Sequence, residues 1–233
     1  MPANPRTPPG ERLFLNEVLL SLTQGDLDLL TPGLQPINLP LRKQLEAKNR
    51  RIEHVYFVDR GIASVVTNGS GHSEIEIGII GKEGVTGLSV IMGGDRSPHE
   101  TYVQIAGNGH RITVLLLRSA MAQSTSLQQR LLRVGYAFIV QTAQTAMANG
   151  CHKIEERLAR WLLMAHDRID GDDLSLTHEF LARMLGVRRP GVTVALQGLE
   201  MNGLIRAKRG GILIIDRTGL EDSSNGAYIA AEG

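Results

Sequence analysis

The spacing of apolar residues divides the chain into distinct textures. Leu13, Leu15, Val18, Leu19 and Leu22 recur at helical spacing, so short helices are expected between Leu13 and Leu30, interrupted at Gly25 and Pro32. From Leu39 to Leu117 the apolar runs shorten, fill with valine and isoleucine, and are punctuated by glycine. His54 to Val58 reads as a strand, Asp59-Arg60-Gly61 as a turn and Ile62 to Thr67 as a second strand, with Asn68-Gly69-Ser70-Gly71 a hairpin signal. Along Ser73 to Ile80 the residues alternate, with Ile75, Ile77 and Ile79 on one face and Glu74, Glu76 and Gly78 on the other. Gly81, Gly84 and Gly87 mark corners, and Tyr102 to Ala106 and His110 to Leu116 complete the strand set. Many short strands separated by glycine turns predict an antiparallel β-barrel or jelly roll.

The period then changes. From about Ala120 to Arg168 the pattern is helical, and Ser126 to Gly150 predicts one long helix. Leu127, Leu131, Val134, Phe138, Gln141 and Thr145 form a heptad-like stripe on it, with Ile139 and Thr142 alongside. Such a stripe suits a dimer seam; the alternative is packing against the chain's own barrel. Gly150-Cys151 marks a break, and His152 to Arg168 predicts a second helix with Ile154, Leu158, Trp161, Leu162 and Ala165 on one face.

The segment after the polar turn Ile169 to Asp173 carries the functional signal. Leu174-Ser175-Leu176 reads as a short strand, and Thr177 as the N-cap of a two-turn helix ending at Leu185. Gly186 suits the left-handed turn after a helix, and Pro190 suits the first turn of the next one. Val192, Leu196 and Leu199 form that helix's buried face, so the arrangement is helix, glycine turn, helix. Two strands follow, Leu204 to Arg206 and Gly211 to Ile215, joined by the basic tip Ala207-Lys208-Arg209-Gly210, which makes a wing.

Charge sharpens this picture. The 233 residues carry a formal net charge of only +1, so no global basic field points to nucleic acid. Between Leu181 and Gly211, however, Arg183, Arg188, Arg189, Arg206, Lys208 and Arg209 face Glu200 alone. A local basic cluster is what phosphate attraction needs. A recognition helix docks its N-terminal residues on base edges, which favours Arg188, Arg189, Thr193 and Gln197 as contacts. Thr177, Lys208 and Arg209 are expected DNA contacts as well, and Gly191 would allow the backbone to approach DNA closely; for any single arginine a phosphate contact is the commoner role. The partner is double-stranded DNA.

The lone cysteine, Cys151, excludes an internal disulfide and a multi-cysteine zinc or iron–sulfur site, and fits a reducing cytoplasm. It reads as a buried, inert thiol, with a redox-sensitive thiol at the helix break as the alternative. Residues 1–12 are expected to be a disordered tail and not a signal peptide, and no run approaches the roughly eighteen apolar residues of a membrane span. There is no phosphate-binding glycine loop before a helix, no nucleophile elbow, and no histidine pair with a matching carboxylate in the strands, so an enzyme is not expected. The competing reading is a small-molecule sensor whose DNA contact is degenerate.

This layout resembles the Crp/Fnr family of bacterial regulators. The most specific stretch runs from Leu176 to Val192, supported by Val55 to Gly61, Gly84 to Ser97, and Glu156-Arg157-Leu158-Ala159. The resemblance implies an α+β chain: a tail at 1–12, a cyclic-nucleotide-binding-like β-barrel at 13–122, a dimerisation helix at 123–150 and a winged helix-turn-helix at 151–233. It implies a homodimer on a two-fold symmetric operator, with RNA polymerase as a partner. Arg189 falls where the family often places a base-reading arginine, but Pro190 and Val194 replace the acidic and basic residues expected near it, so the half-site should differ. For an effector, the resemblance points to Thr86, Gly87, Arg96, Ser97 and Thr142. Arg96-Ser97 suits an anion, yet no glutamate follows Gly84 at the ribose position and Ala143 follows Thr142 on the long helix, so cAMP is not the expected ligand. A ligand there would act by altering packing around Gln141, Thr142 and Thr145. The iron–sulfur route of the oxygen-sensing branch is closed by the cysteine count, and His54, His99 and His110 are haem-ligand candidates in composition only.

Overall fold

The computed structural model describes residues 14–68 and 74–230. The expected tail at 1–12 and the hairpin tip Gly69-Ser70-Gly71 lie outside the described residues. Two short helices open the fold, α1 (Glu17–Leu20) and α2 (Gln24–Leu30), followed by the strands β1 (Gln35–Leu39), β2 (Gln44–Glu46), β3 (His54–Asn68) and β4 (Glu74–Ile80). Next come α3 (Leu88–Ile91), β5 (Glu100–Thr113), α4 (Val114–Gln123) and the 27-residue helix α5 (Thr125–Cys151). The C-terminal part holds α6 (Ile154–His166), β6 (Asp173–Leu174), α7 (His178–Met184), α8 (Arg189–Met201), β7 (Ile205–Lys208), β8 (Gly211–Ile214) and α9 (Arg217–Ser223). No helix among the described residues is long and apolar enough to cross a membrane.

The expected barrel is not closed by hydrogen bonds. The sheet order is β1-β5-β3-β4, all antiparallel, with β1 and β2 both on β5. Helices complete the enclosure in place of a closing strand pair: Val18, Leu19, Leu30, Leu117, Leu127 and Leu131 pack with Val55, Phe57 and Ile112 in one buried core. Asp59-Arg60-Gly61 is a bend within β3 and not a turn between two strands. Gly61 has φ 91°, and a Cβ on it would lie 2.4 Å from the Ile105 carbonyl oxygen. Opposite it, a Cβ on Gly107 would lie 1.8 Å from the Arg60 oxygen, so the two long strands bend together where neither backbone tolerates a side chain. The expected strand through Leu116 stops at Thr113, whose hydroxyl accepts from the Leu116 amide and starts α4.

The stripe expected to be a dimer seam is the inner face of α5. Leu127, Leu131 and Val134 are buried against the sheet domain, and Phe138 packs on the cluster around Val58, Val65 and Ile80. The Gln141 amide clasps the edge of β4 with both ends: its Oε1 accepts from the Ile79 amide at 2.7 Å and its Nε2 donates to the Ile79 carbonyl at 3.1 Å. A second apolar row, Leu132, Tyr136, Ile139, Val140 and Met147, is exposed on the helix. The helix runs through Gly150 and ends at Cys151, with His152 and Lys153 extended. Cys151 is exposed, not buried, because it sits at that free helix end.

Helix α6 joins the sheet to the C-terminal part. Leu158 to Ala165 are all buried, in a core that combines Ile62 and Ile79 of the sheet with Leu181, Val192, Leu196 and Leu199 of the helices behind it. Glu76, assigned by alternation to the polar face of β4, is buried there because Trp161 lies over it. The indole Nε1 donates to Glu76 Oε1 at 2.5 Å, and the Ser64 hydroxyl donates to Oε2 at 2.6 Å. Burial pushes the Glu76 carboxyl up to about 7, against the opposing effect of these two hydrogen bonds and of the Arg160 and Arg168 charges. A carboxyl whose folded pKa exceeds its unfolded value takes up a proton on folding. Its stabilising contribution is complete below pH 4.5 and is lost as pH rises through 7. Glu76→Gln should remove that decline: in denaturant titrations at pH 5 and pH 8, the variant should lose less stability than the parent between the two, by at most roughly 3 kcal/mol.

Candidate nucleic-acid interface and effector pocket

The helix-turn-helix is assembled by local hydrogen bonds. The Thr177 hydroxyl accepts from the Phe180 amide at 3.2 Å and starts α7. Gly186 takes φ 62°, and the Val187 amide returns to the Ala182 carbonyl at 2.9 Å, closing the turn. Arg188 is the extended N-cap of α8, with Pro190 in the first turn. Val192, Ala195, Leu196 and Leu199 face inward, which turns Val194, Gln197 and Met201 outward. Glu200 Oε1 accepts from the Ala207 amide at 2.8 Å, so the one acidic residue of the segment fixes the wing to the recognition helix.

Ion pairing separates the basic residues. Arg188, Arg189, Arg206 and Arg209 are exposed and make no ion pair among the described residues. Arg183 lies 3.6 Å from Glu74 and 3.8 Å from Glu179, and Lys208 is paired with Asp173. Lys208, expected as a DNA contact, is therefore held back along the wing. Thr193, also expected as a contact, belongs to the joint between helices: its hydroxyl donates to the Arg189 carbonyl and lies 3.2 Å from His178 Nδ1. The reading of Gly191 needs correction. A Cβ there would point inward, 3.2 Å from Ile154 Cδ1, and one on Gly198 would lie 2.9 Å from Glu155 Oε2. Both glycines serve the close crossing of α6 and α8. Of the expected set, Arg188, Arg189, Gln197 and Arg209 are exposed, on α8 and on the wing.

The candidate effector residues divide differently. Thr86, Gly87 and Ser97 gather around Glu46, a residue missed in the sequence because β2 is only three residues long. Glu46 Oε1 accepts from the Gly87 amide at 2.7 Å, and Thr86 and Ser97 add side-chain hydrogen bonds. Burial raises the carboxyl, and those hydrogen bonds oppose the rise. Arg96 points away: its Nη1 donates to the Asn49 carbonyl at 3.1 Å, its Nε lies 3.8 Å from Asp95, and its side chain is 61% exposed. Thr142 is turned back on its own helix, donating to the Phe138 carbonyl at 2.9 Å. The anion cradle thus holds an internal carboxylate, and the expected arginine is outside it. Of the histidines, His110 is committed to Asp59 at 2.9 Å. Among the described residues no three His, Cys, Asp or Glu side chains are placed to hold a metal ion.

Comparison with known proteins agrees with this architecture. Residues 156–223 match the family model of the Crp-like helix-turn-helix domain. Among solved structures, FixK2 from Bradyrhizobium japonicum superposes with a TM-score of 0.71 at 17% identity, covering 85% of this chain and 99% of that one. A CRP-family transcriptional regulator from Thermus thermophilus gives 0.69 at 16% identity, covering 84% and 100%. The c-di-GMP-responsive global regulator CLP from Xanthomonas campestris gives 0.65 at 16% identity, covering 82% and 99%. No curated protein matches the chain in sequence. Its C-terminal part is a Crp-like helix-turn-helix domain, and the whole chain has the fold of Crp/Fnr regulators.

If the unpaired arginines meet DNA, their removal should be felt unequally. Arg188→Ala with Arg189→Ala should weaken binding to duplex DNA at least tenfold, at about 1–3 kcal/mol for each base-reading contact. Arg209→Ala should reduce the salt dependence by about one ion, whereas Lys208→Ala should change it less because its charge is already paired. Gel-shift titrations over a range of salt concentrations measure all three.

Proposed function

We propose, from the premise that this chain joins a Crp-like helix-turn-helix domain to the Crp/Fnr fold, that it is a sequence-specific transcription regulator that binds double-stranded DNA as a homodimer in the cytoplasm. Its working parts are the sheet domain at 13–122, the helix at 123–150 and the winged helix at 151–233, and RNA polymerase is its partner at the promoter. The role is binding and not catalysis. The observation that carries this reading is the exposed basic side chains of the α8 start and of the wing: Arg188, Arg189, Arg206 and Arg209 make no ion pair among the described residues.

The homodimer rests on the outer row of α5. Leu132, Tyr136, Ile139 and Met147 recur at spacings of four, three and eight residues, and Tyr136 is 69% and Ile139 54% exposed. A second copy of the same helix buries that row and sets two recognition helices on two half-sites related by a two-fold axis. The barrel pocket does not serve cAMP in this reading. Glu46 places a carboxylate among Thr86, Gly87 and Ser97, where a cyclic phosphate would meet a like charge, and Arg96 faces solvent.

Selection from random duplex DNA, followed by sequencing of the bound fraction, tests the proposal. An enriched inverted repeat is the expected result. Ile139→Asp should convert the protein to a monomer by sedimentation and lower its affinity for the full repeat by at least tenfold, with the fold intact by circular dichroism. Enrichment of no motif would overturn sequence-specific regulation, and an unchanged dimer would place the seam elsewhere.

A further inference from the structure

We propose that Val194 is a specificity-determining residue that reads the C5-methyl group of thymine in the major groove. The proposal rests on the DNA-binding reading above and names one chemical feature of the base sequence that the recognition helix selects.

Val194 is 68% exposed in the middle of α8. The core does not call for an apolar side chain there, since Val192, Ala195, Leu196 and Leu199 of the same helix supply the buried face. Helix formation does not call for it either. A β-branched side chain loses χ1 freedom against the preceding turn, so alanine or a straight-chain polar residue would suit an exposed helical position better. Pro190 stands four residues earlier on the same face and is also exposed. Its place in the first turn has a folding reason of its own, so Val194 carries the argument and Pro190 widens the apolar surface.

The polar groups on either side select the partner that covers this surface. Arg188 and Arg189 open the same helix, exposed and without an ion pair among the described residues. Gln197 follows Val194 by three residues and is exposed as well. The Thr193 hydroxyl between them is given to the Arg189 carbonyl. Two guanidinium groups draw a polyanion to the start of α8, whereas an apolar protein surface would desolvate them without a counter-charge. In the major groove the thymine methyl is the apolar feature of the base edges, beside guanine acceptors that suit arginine and an adenine edge that suits glutamine. Along the helix axis Val194 is about 7.5 Å from Arg189 and about 4.5 Å from Gln197, or roughly two base-pair steps and one. A methyl-reading position therefore sits between two hydrogen-bonding ones. Val194 can neither donate nor accept a hydrogen bond through its side chain, so contact with a methyl group is the discrimination it brings.

The test uses the full chain and the duplex enriched from random DNA. Each thymine of the two half-sites is replaced in turn by deoxyuridine, which deletes the methyl group and keeps the base pair, and affinity is measured by gel shift. At one thymine position, loss of the methyl from both half-sites should weaken binding about tenfold, from about fourfold for each group removed from an apolar contact. In Val194→Ser the same replacement should cost less than about twofold. Met201→Ser removes an 87% exposed apolar side chain from the last turn of α8, away from the end that meets base edges, and should keep the parent's discrimination. An enriched site in which no thymine methyl affects affinity overturns the proposal and leaves sequence-specific binding standing. Undiminished discrimination in Val194→Ser overturns it as well. Enrichment of no motif overturns the DNA-binding reading and this proposal together. The deoxyuridine series needs only the parent chain, so it can reject the proposal whether or not a variant folds.

Discussion

Between Leu158 and Ala165 every side chain of α6 is buried, and that condition organises the molecule. A helix enclosed on all sides must find partners for its polar members inside the protein. Trp161 finds Glu76 on the sheet, and Arg160 reaches Thr145 of the long helix at 3.1 Å. Nearby, Arg168 pairs with Glu83 at 2.7 Å. Through these contacts the position of the helix-turn-helix is referred both to β4 and to α5. The same helix forms the floor on which α8 lies, so any shift of α6 against the sheet moves the recognition helix with it.

The electrostatics follow a consistent division. Negative charge that could oppose DNA is used internally near the interface: Glu200 holds the wing backbone, Asp173 holds Lys208, and Glu74 and Glu179 hold Arg183. Among the described residues, the basic side chains left unpaired on the outer side are arginines. The sheet domain shows the inverse arrangement, with the Glu46 carboxylate enclosed by the amide and hydroxyl donors that an exogenous anion would need. Near-neutral overall charge thus conceals two local fields of opposite purpose.

Much of this was legible from residue spacing, and the exceptions have physical causes. The helix-turn-helix was readable because its signals are local: Thr177 as a cap, Gly186 in the turn, Pro190 in the first turn of α8. The sheet was read as more numerous, shorter strands because glycine normally punctuates. Gly61, Gly107 and Gly109 instead let two long strands bend in close contact, a property that depends on a partner distant in sequence. The stripe on α5 that suited a dimer seam is the row that packs on the sheet domain, and it was open to two readings for a related reason. Both faces of that helix carry apolar residues, and only the fold shows which row the sheet covers. Glu76 and Glu46 were hidden because burial of a carboxylate is decided by what packs over it. Lys208 and Thr193 looked free in sequence for the same reason, since Asp173 and His178 reach them only in the folded chain. The helix α9 carries no periodic signal strong enough to separate it from the surrounding loops.

Where α6 crosses α8, Gly191 and Gly198 make room for the ends of the Ile154 and Glu155 side chains, and Val192, Leu196 and Leu199 pack inward. With the inner side of α8 pinned in this way, its outer positions are released from packing. Arg189, Val194 and Gln197 can be exchanged for other side chains without disturbing the core. The outer face of this helix can therefore change its chemistry one position at a time while the packing that holds the helix in place stays constant.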